Sequence, residues 1–261
     1  MKILAVDTAS AWQSVAILDD HRVFARQDQE AAGSHAKLLL PTIDRLFRET
    51  GLSLRRLDGL AVSIGPGSFT GLRVGLATML GFRTITQLPL ATVPTLEAMA
   101  WNFRGSPDLL CPVLTSRRGE VYWAVFRWIN DDLERVLPEQ VGSPVQLAET
   151  LVGPTVLFGD GWIRDAAAIR AALPRALTIT EKSGETARPS AVSVGRAGIE
   201  RLSRGEQAGM IVSPYYVQRS EAELAYDQSK GLSPLARRRA KLSRTRGGRM
   251  AGAGAKRRDH K

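Results

Sequence analysis

A chain of 261 residues with 44% hydrophobic residues holds enough apolar side chains for one or two folded domains, which excludes an intrinsically disordered protein. Its single cysteine, Cys111, excludes an intramolecular disulfide and favours a reducing compartment. The apolar run before Asp7 is too short for a signal peptide and no stretch approaches the roughly 18 apolar residues that cross a bilayer, so we expect a cytoplasmic protein without membrane contact.

The net charge of +10 is concentrated at the C-terminus. Residues 235–261 contain eleven lysine or arginine residues and one acidic residue, whereas residues 1–234 contain equal numbers of basic and acidic residues. The segment 235–261 is rich in arginine, glycine and alanine and lacks apolar periodicity, which predicts a basic disordered tail. The tail is either a solubilising appendage or a salt-sensitive contact to RNA phosphates, and its composition is compatible with both.

The first hundred residues predict three strands followed by alternating helices and strands. Strands are read from apolar runs or alternation, and helices from apolar residues on one face. In chain order, the predicted elements are strands at 2–6, 13–18 and 22–26, a helix at 35–50, a strand at 60–64, a helix from Gly71, a strand at 90–93 and a helix from Thr95.

The same order recurs after the linker at 104–108. The second set comprises strands at 109–114, 120–128 and 133–137, a helix after Pro144, a strand at 155–158, a helix at 162–172, a strand at 177–180 and a helix at 190–204. This repetition predicts an α/β protein with the duplicated β-β-β-α-β-α-β-α order of the two-lobed actin-like (ASKHA, RNase H-like) fold. We expect lobes at 1–104 and 105–234, followed by the tail, with a ligand cleft between the lobes.

A glycine-rich stretch, GPGSFTG at 65–71, joins a predicted strand to a predicted helix. Backbone amides and a helix N-terminus at this point could hold a phosphate. However, no Lys-Ser or Lys-Thr pair follows, and the glycine spacing differs from the dinucleotide fingerprint. A tight turn is the alternative. The candidates for a nucleotide or phosphate contact are Asp7, Thr8, Gly65 and Gly67.

The predicted helix after this stretch has small residues at i, i+4 and i+7 and is apolar around most of its circumference. Each interior glycine costs ~1 kcal/mol relative to alanine, so its presence indicates close packing. A helix that is apolar on all sides must be covered on all sides, either by this chain or by a partner protein. The predicted interface consists of Gly71, Leu72, Gly75, Thr78 and Met79, with Leu39 and Ile43 of the preceding helix.

Three motifs together resemble the TsaB (YeaZ) family, the dimerization subunit of the bacterial complex that makes N6-threonylcarbamoyladenosine in tRNA. The motifs are KILAVDTAS at 2–10, GSHAKLLLP at 33–41 and GPGSFTGLRVG at 65–75, with weaker similarity through RRGEVY at 117–122 and SPYYVQRSEAE at 213–223. The resemblance implies an actin-like scaffold that binds and activates the catalytic paralogue TsaD through its first two long helices. TsaD would then modify the adenosine 3′ to the anticodon.

The resemblance also implies further partners for the chain. They are the P-loop ATPase TsaE and tRNA, which would be bound through the complex or through the basic tail. A homodimer is an alternative to the heterodimer with TsaD. ATP and a metal ion would belong to the partners, and the isolated chain would carry no cofactor.

The metal-binding histidines of the catalytic paralogue have no counterpart here. They lie at i and i+4 of a helix that follows a short strand, and this chain has Thr95 and Met99 at those positions. Neither residue is a suitable ligand for a hard or borderline divalent ion. The chain has three histidines, His21, His35 and His260, at separations that form no ligand pair. We therefore predict no metal site and no catalytic residue.

The sequence also lacks one of the two carboxylates that nucleotide chemistry in an actin-like fold would need. An actin-like ATPase uses one carboxylate from the first strand of each lobe, because phosphoryl transfer needs positioned charge neutralisation. Asp7 is present in the first lobe, but Thr115 stands where the second lobe usually has aspartate. FGDGW at 158–162 either retains an adenosine-side loop or is an ordinary turn. A stand-alone actin-like ATPase or small-molecule kinase is the alternative function, whereas a metallopeptidase-like hydrolase is disfavoured by Thr95 and Met99.

Overall fold

In the computed structural model, two five-stranded sheets organise the described residues, which are 1–20, 22–117 and 119–217. The predicted basic tail at 235–261 lies outside these residues, as do His21 and His260. No helix among the described residues has the length and apolar character required to cross a membrane.

The first sheet has the strand order β3-β2-β1-β4-β5. Strands β1 to β3 are antiparallel neighbours, and β4 and β5 extend the sheet in parallel with β1. The strands are β1 Lys2–Asp7, β2 Trp12–Asp19, β3 Arg22–Glu30, β4 Gly59–Ser63 and β5 Leu90–Val93, and the helices are α1 His35–Thr50, α2 Phe69–Thr86 and α3 Thr95–Ala100.

The second sheet repeats this order and these strand directions as β8-β7-β6-β9-β10. Its strands are β6 Leu109–Thr115, β7 Val121–Ile129, β8 Asp132–Gly142, β9 Thr155–Phe158 and β10 Ile179–Lys182, and the helices are α4 Pro144–Glu149, α5 Asp160–Ala172 and α6 Ala191–Ser203. The prediction of a duplicated actin-like α/β fold is therefore confirmed.

Helices α1 and α2 cover one face of the first sheet. Leu39, Ile43 and Leu46 follow helical spacing in α1 and are at most 2% exposed. They share one apolar core with β1, β2, β4 and the inner side of α2, and each buried side chain of this size contributes about 1.5–3 kcal/mol. Ser34 precedes α1 without a side-chain capping hydrogen bond.

Helix α6 returns to the first sheet and covers its other face. Gly195 lies against Leu18 and Ala5, and Gly198 lies against Ala61, so the helix backbone approaches the strands closely. The domain boundaries stay a prediction, but α6 belongs by sequence to 105–234 and packs against strands of 1–104.

The segment from 206 to 217, called here the C-terminal segment, runs beside α2. The Ala208 amide donates to the Leu90 carbonyl at 2.7 Å, and Arg83 of α2 donates to the Gly209 carbonyl at 2.7 Å. Near its end, the Tyr215 amide donates to the Ile64 carbonyl at 2.7 Å. These bonds bring the segment to the start of α2, where the described residues end at Val217.

Candidate functional site

The GPGSFTG loop packs against the turn between β1 and β2. The Ser68 amide donates to the Ala9 carbonyl at 2.7 Å, and the Thr8 hydroxyl donates to the Gly71 carbonyl at 2.8 Å. The Ser68 hydroxyl caps α2 by accepting from the Gly71 amide at 3.2 Å. The loop therefore ties α2 to the carboxyl end of β1.

The glycines of this loop and of α2 are required by that close approach. A Cβ at Gly67 or Gly71 would lie closer than 3.0 Å to the backbone oxygen of Ala9 or Thr8, respectively. A Cβ at Gly75 would come equally close to the Thr8 hydroxyl. These glycines thus face the interior, and the small residues on this side of α2 leave room for the β1–β2 turn.

This orientation corrects the prediction of which residues form the interface with a partner. Leu39, Ile43, Leu72 and Met79 are at most 2% exposed, Gly71 and Gly75 are buried, and Thr78 is half-buried with its hydroxyl bonded to the Val74 carbonyl. The six buried residues pack inside this chain because the inner side of α2 covers the sheet. That α1 and α2 bind a partner stays a prediction.

The outward side of α2 offers different residues to a partner. Arg73, Ala77, Gly81 and Ile85 follow each other at intervals of four and are exposed. Ile85 is 80% exposed, and a Cβ at Gly81 would meet no atom within 4 Å. The small residues available to an approaching helix are therefore Ala77 and Gly81.

Asp7 is buried at the end of β1. One carboxylate oxygen, Oδ1, accepts from the Ala9 amide at 3.1 Å, whereas Oδ2 has no hydrogen-bond partner in the described part of the chain. Burial raises the pKa of Asp7 to about 6, and the Ser63 hydroxyl acts in the opposite direction without meeting hydrogen-bond geometry. The equivalent last residue of β6 is Thr115, whose amide donates to Asp160 Oδ1 at 3.1 Å.

A cleft of about 310 Å³ lies between the β1–β2 turn and the start of α5. Its walls include Trp12, Ile163, Arg164 and Arg188. The Arg188 guanidinium lies 4.1 Å from the centroid of the Trp12 ring, and Arg164 donates to the Glu120 carbonyl at 2.6 Å. The candidate phosphate contacts Asp7, Thr8, Gly65 and Gly67 are absent from its lining. A nucleotide contact at those four residues stays a prediction.

Thr95 and Met99 are fully buried in α3. The Thr95 amide donates to the Gly65 carbonyl at 2.7 Å, and the Met99 methyl group would lie 3.2 Å from a Cβ at Gly159. Met99 therefore fills the space between α3 and the second half of the chain. In residues 1–20, 22–117 and 119–217, no cluster of three or more histidine, cysteine or acidic residues could hold a metal ion.

His35 connects α1 to the β1–β2 turn. Its Nε2 lies 3.0 Å from the Ser10 carbonyl oxygen, and the side chain is buried. Burial lowers the pKa of His35, which favours the neutral ring. His35, the first residue of α1, therefore joins the start of this helix to the β1–β2 turn.

Sequence reasoning missed a cluster of aromatic and basic side chains at the start of α2. The Phe69 and Tyr216 rings stack at 5.3 Å, and the Arg73 guanidinium lies 3.8 Å from the Phe69 centroid. Arg73 Nε also donates to the Tyr216 hydroxyl at 3.0 Å. The one signal for it in the sequence is the adjacent pair Tyr215 and Tyr216 in a polar segment.

Comparisons with known proteins support the family resemblance that the sequence motifs indicate. The family model described as TsaD: tRNA N6-adenosine threonylcarbamoyltransferase matches residues 23–226. A TsaB protein of Escherichia coli K12 is 36% identical over 172 residues, which cover 62% of this chain and 72% of that protein. A TsaB protein of Bacillus subtilis is 31% identical over 140 residues, which cover 54% and 61%.

The solved structure of YeaZ from Pseudomonas aeruginosa has the same fold. It superposes with a TM-score of 0.71 at 24% identity and covers 82% of this chain and 99% of its own. The sequence matches, and not this superposition, establish kinship. The chain belongs to the TsaB (YeaZ) family, whose curated relatives are named tRNA threonylcarbamoyladenosine biosynthesis proteins.

Proposed function

We propose that this chain is a non-catalytic scaffold subunit that binds and activates TsaD in tRNA threonylcarbamoyladenosine synthesis. Family membership supports a role in this biosynthesis. TsaD would modify the adenosine 3′ to the anticodon, in the cytoplasm, and TsaE and tRNA would join the assembly. ATP and the metal ion would be bound by the partners.

The observation that carries the non-catalytic assignment is the chemistry of α3. Thr95 and Met99, at the two ligand positions, are fully buried, and a methionine thioether is a poor ligand for zinc or a harder ion. Thr115 at the end of β6 leaves Asp7 without a second carboxylate at the equivalent position. These residue types support the proposal that the chain has the fold but lacks the charged side chains of an active site.

The outward side of α1 and α2 is the surface that we assign to TsaD. It carries Leu40, which is 53% exposed, and Ile85, which is 80% exposed, with Ala77 and Gly81 between Arg73 and Ile85. Small residues allow two helix backbones to approach, and exposed apolar side chains gain free energy when a partner covers them. A homodimer through the same surface would compete with the heterodimer.

Co-purification of the chain with TsaD, followed by an assay of threonylcarbamoyladenosine formation, tests this function. Ile85→Arg is expected to prevent association, because it replaces the most exposed apolar side chain named on the assigned surface with a charged one. Val152→Arg is the matched control, since Val152 is 83% exposed and lies in the second half of the chain. If association is insensitive to Ile85→Arg, the assignment of this surface to TsaD is wrong. If tRNA is modified without TsaD, the scaffold role is refuted.

The stand-alone ATPase or small-molecule kinase is the second candidate, and the cleft beside Trp12 favours it. Purified chain mixed with ATP and Mg²⁺ separates the two functions. The scaffold predicts no hydrolysis above a buffer control, whereas turnover that disappears in Asp7→Asn would support the enzyme.

A further inference from the structure

The cleft between the β1–β2 turn and the start of α5 contains a positive charge that no carboxylate of the described residues neutralises. The charge belongs to the guanidinium of Arg188, which lies 4.1 Å from the centroid of the Trp12 ring. Glu185, the acidic residue nearest to Arg188 in sequence, pairs with Arg26 at 2.7 Å instead. In residues 1–20, 22–117 and 119–217, the guanidinium of Arg188 has no ion pair and no hydrogen bond. The cleft therefore presents a cation beside an aromatic ring.

The other two charged residues that line the cleft are engaged within the chain. Arg164 donates from Nε to a carboxylate oxygen of Asp165 at 2.9 Å and from a terminal nitrogen to the Glu120 carbonyl at 2.6 Å. Asp160 Oδ1 accepts from the Thr115 amide at 3.1 Å. Within the described part of the chain, a negatively charged ligand would therefore meet the guanidinium of Arg188 without displacing a carboxylate from it.

The rest of the lining is mostly apolar. Trp12, Ile163, Ala187 and Pro189 contribute to it, and Ile163 on the first turn of α5 is 60% exposed. Sites for small molecules are concave and mostly apolar, contain few polar groups, and occupy about 300–1,000 Å³. The cleft, at about 310 Å³, lies at the lower end of this range, which favours a small ligand. An apolar ligand that covered Ile163 would gain free energy in proportion to the apolar area removed from water.

The loop that carries Arg188 is fixed at both ends before a ligand binds. The side-chain amide of Asn102 donates to the Thr186 carbonyl at 3.0 Å and to the Arg188 carbonyl at 3.3 Å. Just after the loop, the Ala191 amide donates to the Ser14 hydroxyl at 2.8 Å. A ligand would consequently meet a wall that is already in place, which lowers the entropy cost of binding.

We propose that this cleft binds a small organic monoanion, a carboxylate on a planar apolar body. The carboxylate would accept hydrogen bonds from the Arg188 guanidinium, whose planar fork matches its two oxygens. The apolar body would pack between the Trp12 ring and Ile163. A ligand with several negative charges, such as ATP or another phosphate ester, fits less well, because Asp160 also lines the cleft and would repel it. The inference does not depend on the proposed scaffold role.

Three naphthalene probes test this inference with the full chain. They carry a carboxylate, a carboxamide or an aminomethyl group at the same ring position, so that they share the apolar body and differ in charge. Titrations followed by NMR signals of the probe give each Kd. We expect naphthoate to bind about tenfold more tightly than naphthamide, because its hydrogen bonds to Arg188 are charge-assisted. The ammonium probe should bind most weakly, because Arg188 repels it.

Three variants separate the charge from the apolar wall and from nonspecific effects. Arg188→Gln should reduce the tenfold preference for naphthoate to about one, whereas Ile163→Ala should weaken naphthoate and naphthamide by the same factor. Arg170→Gln is the matched control, because the Arg170 guanidinium also lies on a tryptophan, 5.1 Å from the Trp162 centroid, but does not line the cleft. Thermal melting and TsaD association are measured for every variant, so that a loss of ligand binding is distinguished from misfolding and from a failure of the proposed scaffold.

Three results would overturn the inference. In the first, naphthoate does not bind, or binds no more tightly than naphthamide. In the second, Arg170→Gln reduces the preference for naphthoate as much as Arg188→Gln does. In the third, ATP binds more tightly than naphthoate and displaces it, which would assign the cleft to a nucleotide and support the second candidate function.

Discussion

Gly71→Ala tests whether the glycines of α2 serve the interior of this chain. The added methyl group would lie closer than 3.0 Å to the backbone oxygen of Thr8, a fully buried residue of the β1–β2 turn. Thr8 also donates its hydroxyl to the Gly71 carbonyl, so a shift of the helix would lengthen that hydrogen bond. Neither Thr8 nor α2 can therefore move away without disturbing the end of β1.

The expected loss follows from two opposing effects. Overpacking of a tight core costs about 1–3 kcal/mol, and alanine recovers up to ~1 kcal/mol of helix propensity. With the full ~1 kcal/mol recovered, the net loss is about 0–2 kcal/mol, which should lower Tm by up to roughly 8 °C in a domain of this size. Gly81→Ala is the matched control, because a Cβ there meets no atom within 4 Å, and it should raise Tm by roughly 2–4 °C.

Differential scanning calorimetry of the two variants under identical conditions is the assay. TsaD association should be unchanged in Gly71→Ala, because its methyl group would face inward. If Gly71→Ala raises Tm as Gly81→Ala does, the close approach of α2 to Thr8 is refuted. If Gly71→Ala keeps its Tm but loses TsaD, the glycines belong to an interface after all.

The remaining predictions concern charge, metal and surface. Burial raises the pKa of Asp7 to about 6, above its value in the unfolded chain, so its contribution to stability is present below about pH 4 and lost as pH rises through 6. Asp7→Asn should therefore raise the unfolding free energy by about 3 kcal/mol at pH 7.5, with the gain vanishing near pH 4; an equal gain at both pH values would contradict this. Elemental analysis should find no stoichiometric metal in the purified chain, and one zinc or iron per chain would contradict the interpretation of Thr95 and Met99. Ile85→Arg should melt at the same temperature as the unmodified chain, because its side chain is 80% exposed; a marked fall in Tm would show that Ile85 packs within the chain.

The order of strands and helices could be predicted because its signals are local. Apolar alternation and helical spacing located every strand and long helix, although the bounds differed by a few residues. Strand β8 extends over Asp132–Gly142, well beyond the predicted 133–137, because Pro138, the buried Glu139 and Gln140 interrupt the apolar pattern. Helix α2 begins at Phe69, before the predicted Gly71, because Ser68 caps it.

The direction in which the glycines of α2 face could not be predicted. A helix that is apolar nearly all round gives no sign of which side meets the sheet. The deciding contact is with Thr8, whose position depends on the pairing of β1 with β2 and β4. The aromatic and basic cluster at the start of α2 was missed for a similar reason, since Phe69 and Tyr216 meet only after the C-terminal segment has returned along α2.

Reconstitution with purified TsaD, TsaE, ATP, threonylcarbamoyl adenylate as the group donor and unmodified tRNA tests the central claim most directly. Threonylcarbamoyladenosine is measured in tRNA with this chain alone, with its partners alone and with all components together. The scaffold account predicts no product from the chain alone and a large gain when it is added to its partners, which Ile85→Arg abolishes and Val152→Arg retains. Product formed by the chain without TsaD, or by the partners equally well without the chain, would contradict the account.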